Sequence, residues 1–303
     1  LKPYRRMREG GEPKTWSQSV EVRRGTFQDF EKVVELLRLV FPQDERGYYF
    51  GFLRFDPFFH PRDVWLVTDG KEVVSCLFLL RRLFSDGERL LPGGGIANVA
   101  TRPDFRGRGL ASLLLQEAIL QSKKEGLSFL VLVTEIPAFY ERFGFQDLGK
   151  FVAYLTPQEG FTLALSRVKD EEILDAYEAF YRRMELLVPF RNLGYLRGLR
   201  VWNRYSSRFR EGKKVASFRK VDGVVGYFLE KETEIEVFDL FSRGNRSNLL
   251  EILQSLGKPL RLFHHPVVLR HLGVPFSRDR ETVMVLYLRA FSGEVYLPVA
   301  DYF

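Results

Sequence analysis

The chain has 303 residues, of which 45% are hydrophobic and 28% charged, with a formal net charge of +7. That apolar content excludes a disordered chain, which could not offset the entropy of ordering. The length calls for two domains of roughly 100–200 residues each. No apolar run approaches the roughly 20 residues of a membrane-spanning helix. A single cysteine, Cys76, excludes an intrachain disulfide, and its apolar surroundings mark it as buried and inert. His60, His264, His265 and His271 form no metal-binding motif, so no metal is expected. The chain opens at Leu1 on a basic stretch without an apolar core, so a cytoplasmic protein rather than a secreted one is expected. The positive charge is spread over both halves, which disfavours a nucleic-acid partner.

Residues 1–18 read as an N-terminal extension. A strand at 19–23 precedes a helix over 27–41, whose apolar face runs through Phe27, Phe30, Val33, Val34, Leu37 and Val40. A second helix covers 45–55. Asp69-Gly70 turns a hairpin between strands at 63–68 and 73–83. Strand 89–101 carries Gly93-Gly94-Gly95, helix 107–124 closes at Gly126, and strand 129–134 follows. A short helix at 137–143 stops at Gly144, and strand 150–156 ends the unit. After a linker at 157–160 the order repeats. Helices cover 170–187 and 194–209. Strands cover 215–221, 224–229 and 234–241. A helix at 245–256, a strand at 260–264, a short helix at 266–272 and a strand at 282–289 complete the copy. The reading is an α+β protein with domains at 19–156 and 161–291 and a tail at 292–303.

The stretch Asn98 to Ser112 carries the chemistry. A strand ends near Thr101, and Arg106-Gly107-Arg108-Gly109 leads directly into a helix. Glycines allow close approach of a ligand, and the helix start presents unpaired N–H groups and a positive dipole end. This suits a pyrophosphate, with Arg102, Arg106 and Arg108 adding charge. A Gly-x-Gly turn alone is weak evidence and is usually a plain strand-to-helix turn. A dinucleotide-binding unit would place it after the first strand rather than the fourth.

Val99-x-x-Arg-Pro-x-Phe-Arg-Gly-Arg-Gly-Leu-Ala-Ser resembles the central motif of the GCN5-related N-acetyltransferase superfamily, and Phe139-Tyr-Glu-Arg-Phe-Gly-Phe145 resembles its second hallmark. The resemblance implies two tandem folds of this type, each a splayed mixed sheet flanked by helices, with acetyl-coenzyme A as co-substrate and an amine as acceptor. It implies that the main chain of Val99, Ala100 and Thr101 runs along the pantetheine arm. It further implies that the amides of Arg106, Gly107, Arg108, Gly109, Leu110 and Ala111, up to Ser112, bind the pyrophosphate. Tyr140 matches the tyrosine that protonates the departing thiolate; the alternative is an aromatic packed on the cofactor tail. Glu135, at the end of the preceding strand, is the candidate base, with a plain structural carboxylate as its alternative.

The tandem arrangement resembles the enhanced-intracellular-survival acetyltransferases, without their sterol-carrier-like third domain. Those proteins use a terminal carboxylate as base, which makes Phe303 a further candidate. The second half has no Arg-x-x-Gly-x-Gly/Ala turn, so it is expected to complete the acceptor pocket or mediate homo-oligomers rather than bind coenzyme A. Arg197, Arg200, Arg204 and Arg208 fall at helical spacing and read as a solvated stripe in preference to a surface for an acidic substrate or RNA. Competing functions are a non-catalytic acyl-coenzyme A sensor and an aminoacyl-tRNA-dependent transferase.

Overall fold

A computed structural model describes residues 21–160, 162–243, 248–290 and 294–298. The first half contains β1 (Glu21–Arg24), α1 (Phe30–Val40), α2 (Arg46–Phe55), β2 (Val64–Asp69), β3 (Glu72–Ser85), β4 (Leu90–Thr101), α3 (Leu110–Glu125), β5 (Phe129–Thr134), α4 (Pro137–Glu141), β6 (Gln146–Asp147) and β7 (Phe151–Leu155). The second half opens with α5 (Asp170–Arg183), β8 (Leu186–Pro189), α6 (Leu193–Trp202), β9 (Arg210–Glu211) and β10 (Lys214–Val215). It continues through β11 (Ser217–Val221), β12 (Val224–Glu230), β13 (Ile235–Ser242), α7 (Leu249–Gln254), β14 (Leu260–Phe263), α8 (Pro266–His271), β15 (Phe276–Arg278), β16 (Thr282–Tyr287) and β17 (Glu294–Val295).

These elements build two mixed sheets flanked by helices. The first runs β1-β2-β3-β4-β5-β16-β6, with β8 pairing both the end of β3 and β17; the second runs β11-β12-β13-β14-β7-β15. The two sheets thus exchange strands. β7, read from the sequence as the last strand of the first unit, pairs antiparallel with β14 and β15 in the second sheet. β16, read as the last strand of the second unit, pairs antiparallel with β5 from Thr282↔Thr134 to Tyr287↔Phe129. Met284 and Val285 of β16 are fully buried.

The helices cover the sheets through apolar faces. Phe30, Val34 and Leu37 of α1 and Phe52 of α2 pack on Phe78 and Leu80 of β3. Leu114, Leu115 and Ala118 of α3 pack on Leu130 and Leu132 of β5 from the other side. The halves also meet through α2 and α6. Trp202 lies edge-on to Phe52 with ring centroids 4.2 Å apart. This approach needs glycine: a Cβ at Gly198 would sit 2.1 Å from the Phe55 carbonyl oxygen, and one at Gly51 2.7 Å from the Trp202 ring. Inside the second half, Arg191 and Asp239 form a fully buried ion pair at 2.7 Å, and the Tyr181 hydroxyl donates to the same carboxylate at 2.7 Å.

Three local expectations differ from what the chain does. The helix expected over 170–187 ends at Arg183, because Glu185 takes a left-handed φ of 54°, and the apolar run after it becomes β8. The helix expected over 194–209 ends at Trp202, and Ser206 is extended, with φ −83° and ψ 130°. The four arginines therefore form no stripe on one helix. Arg200 pairs with Asp170 at 2.6 Å, whereas Arg208 forks onto Glu281 at 2.7 Å through both terminal nitrogens. The helix expected over 107–124 starts at Leu110, since Gly107 and Gly109 have φ of 72° and 80°.

Candidate active site

The site is built where β4 and β5 separate. Their parallel pairing spans Gly93↔Phe129 to Gly95↔Val131 only. β4 nevertheless stays paired with β3 as far as Thr101↔Ser75. The chain past Gly95 therefore runs along an opening, with one edge of its main chain facing the gap. A bulge lies in this stretch: Phe78 pairs Ala97 and Cys76 pairs Ala100, so β4 carries one extra residue. Asn98 sits in it with φ 50°. Ala100 is fixed from behind, its carbonyl accepting from the Ser75 hydroxyl at 2.8 Å. Val99 packs in the cluster that holds Leu110, Leu114 and Tyr140, whereas Ala100 is buried in the opposite one with Phe52 and Phe78. The Cys76 thiol is fully buried, and burial pushes its pKa well up, so it is no nucleophile.

Beyond Thr101 the chain turns into α3. The first main-chain bond of that helix runs from the Leu113 amide to the Gly109 carbonyl at 3.0 Å, so the amides of Leu110, Ala111 and Ser112 precede the helix's own ladder. The left-handed Gly107 and Gly109 turn the backbone here, and a Cβ at Gly107 would meet no atom within 4 Å. The surroundings suit an anion. Arg106 donates to the Thr101 carbonyl at 3.3 Å and Arg108 to the Asp104 carbonyl at 2.9 Å, so both keep their charge beside the turn. Two expectations change. Arg102 is neutralised by a two-point contact with Asp104 at 2.8 and 2.9 Å, and the Arg106 amide already donates to Pro103 at 3.2 Å.

Tyr140 lies on α4, which Pro137 opens. It is 7% exposed and sits edge-on to Phe139 and Phe145. Burial pushes its phenol up to about 12. Glu135 does not share this buried setting. It is half exposed, pairs with Arg280 at 2.9 Å, and lines a different space.

That space is a cleft of about 560 Å³ between the halves. Asn98, Val133 and Glu135 border it from the first sheet, and Phe209, Phe238 and Phe263 from the second half. A charged network crosses its floor. Lys150, 7% exposed, donates to Glu281 at 2.7 Å and meets Asp279 at 2.9 Å; Glu281 also receives Arg208, and Arg261 meets Glu236 at 3.1 Å. Burial alone would raise the Glu281 carboxyl, but Arg208 and Lys150 outweigh it and hold the group at about 2. Sequence reasoning missed this network, because its members lie up to 131 residues apart and no local pattern links them. Phe303 lies outside the described residues. Among the described residues, no cluster of three or more His, Cys, Asp and Glu side chains is placed to hold a metal ion, and no helix is long and apolar enough to cross a membrane.

Comparison with known proteins bears on this geometry. The family described as acetyltransferase (GNAT) domain matches residues 21–147. No curated protein matches the chain. Among solved structures, a GCN5-related N-acetyltransferase from Anabaena variabilis superposes with a TM-score of 0.68 at 14% identity, over 89% of this chain and 73% of that one. Another from Kribbella flavida gives 0.65 at 16% identity, over 89% and 71%. Eis1 from Mycobacterium abscessus gives 0.63 at 11% identity, over 89% and 74%. At these identities the likeness is one of fold.

Proposed function

We propose that this chain, which belongs through residues 21–147 to the GCN5-related N-acetyltransferase superfamily, moves the acetyl group of acetyl-coenzyme A to a primary amine. The observation that carries the reading is the separation of β4 from β5 beyond Gly95, followed in the chain by the glycine turn into α3. Acetyl-coenzyme A supplies an activated thioester whose carbonyl carbon a neutral amine attacks, with a thiolate as leaving group. The open edge at Val99, Ala100 and Thr101 holds the amide arm in strand fashion. The turn at Gly107 to Gly109, the amides of Leu110, Ala111 and Ser112, and the charges of Arg106 and Arg108 take the pyrophosphate.

The acceptor enters from the cleft, and Glu135 takes its proton directly or through water. Tyr140 holds a proton at neutral pH for the departing sulfur. A phenol at about 12 is a weaker acid than a thiol of about 8.5. Its contribution is therefore a hydrogen bond to the developing thiolate, which departs as the anion. The second half supplies the far wall of the cleft.

Release of coenzyme A thiol in the presence of a panel of primary amines tests the reading. Amine-dependent release supports it. Binding of acetyl-coenzyme A without release under any amine would leave the sensor role instead.

A further inference from the structure

Among the described residues, four cations line the cleft, and three are committed to carboxylates inside it. Lys150 is buried between Asp279 and Glu281, Arg208 forks onto Glu281, and Arg261 meets Glu236. Arg280 differs. It stands on the link between β15 in the second sheet and β16 in the first, and its side chain is 82% exposed. Among the described residues that side chain meets only Glu135, through one terminal nitrogen at 2.9 Å. Both side chains line the cleft.

An exposed pair of this kind contributes little stability. A guanidinium carries five donors in a planar fork that matches a carboxylate, and this pair uses one nitrogen. A second carboxylate brought into the cleft could therefore displace Glu135 from Arg280 at little cost. The displaced Glu135 carboxylate, no longer engaged by Arg280, would then be free to meet the amine.

Resting on the acetyltransferase reading above, we propose that the acceptor is an amino carboxylate. Its carboxylate is bound by Arg280, and its amine faces the Glu135 that this binding sets free. Arg280 is then a specificity-determining residue, and the acceptor completes the site by exchanging one ion pair for another. The exposed link between the two sheets serves as the reading element for the substrate.

The experiment compares ω-amino carboxylates with alkylamines of the same length, by thiol release from acetyl-coenzyme A. Wild-type chain is expected to favour the amino carboxylates by about tenfold in kcat/KM, the value of one charge-assisted hydrogen-bonded contact. Arg280→Ala should remove that preference by raising KM for the amino carboxylates several-fold more than for the alkylamines. Arg280→Lys, keeping the charge without the fork, should recover part of it. Equal wild-type use of both series, or an equal loss of both in Arg280→Ala, overturns the proposal and leaves the acetyltransferase reading standing. Absence of thiol release with every amine overturns both.

Discussion

Lys150 donates to Glu281 across 2.7 Å although 131 residues separate them. Each directly precedes a strand that crosses to the other sheet, β7 after Lys150 and β16 after Glu281. The contact pins the two crossovers together at the floor of the cleft, and Arg208 closes it from a third segment.

Glu281 is held at about 2, below the ordinary glutamate value of 4.5. A depressed carboxylate stabilises the fold above its unfolded pKa and loses that contribution as pH falls through the folded one. Stability should therefore drop between about pH 4.5 and 2 by roughly 2–3 kcal/mol from this group. Glu281→Gln should be less stable at neutral pH and should show a smaller drop over that window. Urea titrations at several pH values measure both. An unchanged acid slope in the variant would remove Glu281 as its source.

The strand exchange makes the two halves depend on each other. A fragment ending at residue 160 lacks β16, which lies between β5 and β6, and the remainder lacks β7, which lies between β14 and β15. Neither fragment should give a cooperative thermal transition alone, whereas the two expressed together should restore one. Independent cooperative unfolding of either fragment contradicts the pairing described above.

Tyr140→Phe removes one hydroxyl from a buried ring and leaves the packing with Phe139 and Phe145 in place. If the phenol assists the departing thiolate, kcat should fall by about a hundredfold. Acetyl-coenzyme A affinity should change little. A steady kcat with weakened cofactor binding would instead make Tyr140 a packing residue for the cofactor.

The turn at Arg106 to Ala111 was legible because its meaning is local: left-handed glycines followed at once by a helix start. The hairpins at Asp69-Gly70 and Asp222-Gly223 were legible for the same reason. Strand partners were not. Phe151–Leu155 and Thr282–Tyr287 are both short, apolar and buried, and nothing in either states which sheet it joins. Leu186 and Leu187, the start of β8, read as a continuing helix for that reason, since only the left-handed Glu185 ends α5 before them. The arginine spacing misled because periodicity does not register the extended Ser206. Glu135 stood out in the sequence only from its place at the end of β5. Its partner Arg280 could be found only once β16 was known to lie beside β5.

The central claim is that the opening beyond Gly95 and the turn at Gly109 hold one acetyl-coenzyme A. Calorimetric titration of acetyl-coenzyme A into the full chain tests it most directly, with Gly109→Val as the paired variant. Gly109 has φ 80°, a conformation that a β-branched residue resists, so the substitution should distort the turn and its amides. The account predicts one site per chain for the wild type and none for Gly109→Val, while the variant still unfolds cooperatively. Absence of binding at millimolar cofactor, two equivalent sites per chain, or undiminished affinity in the variant would contradict it.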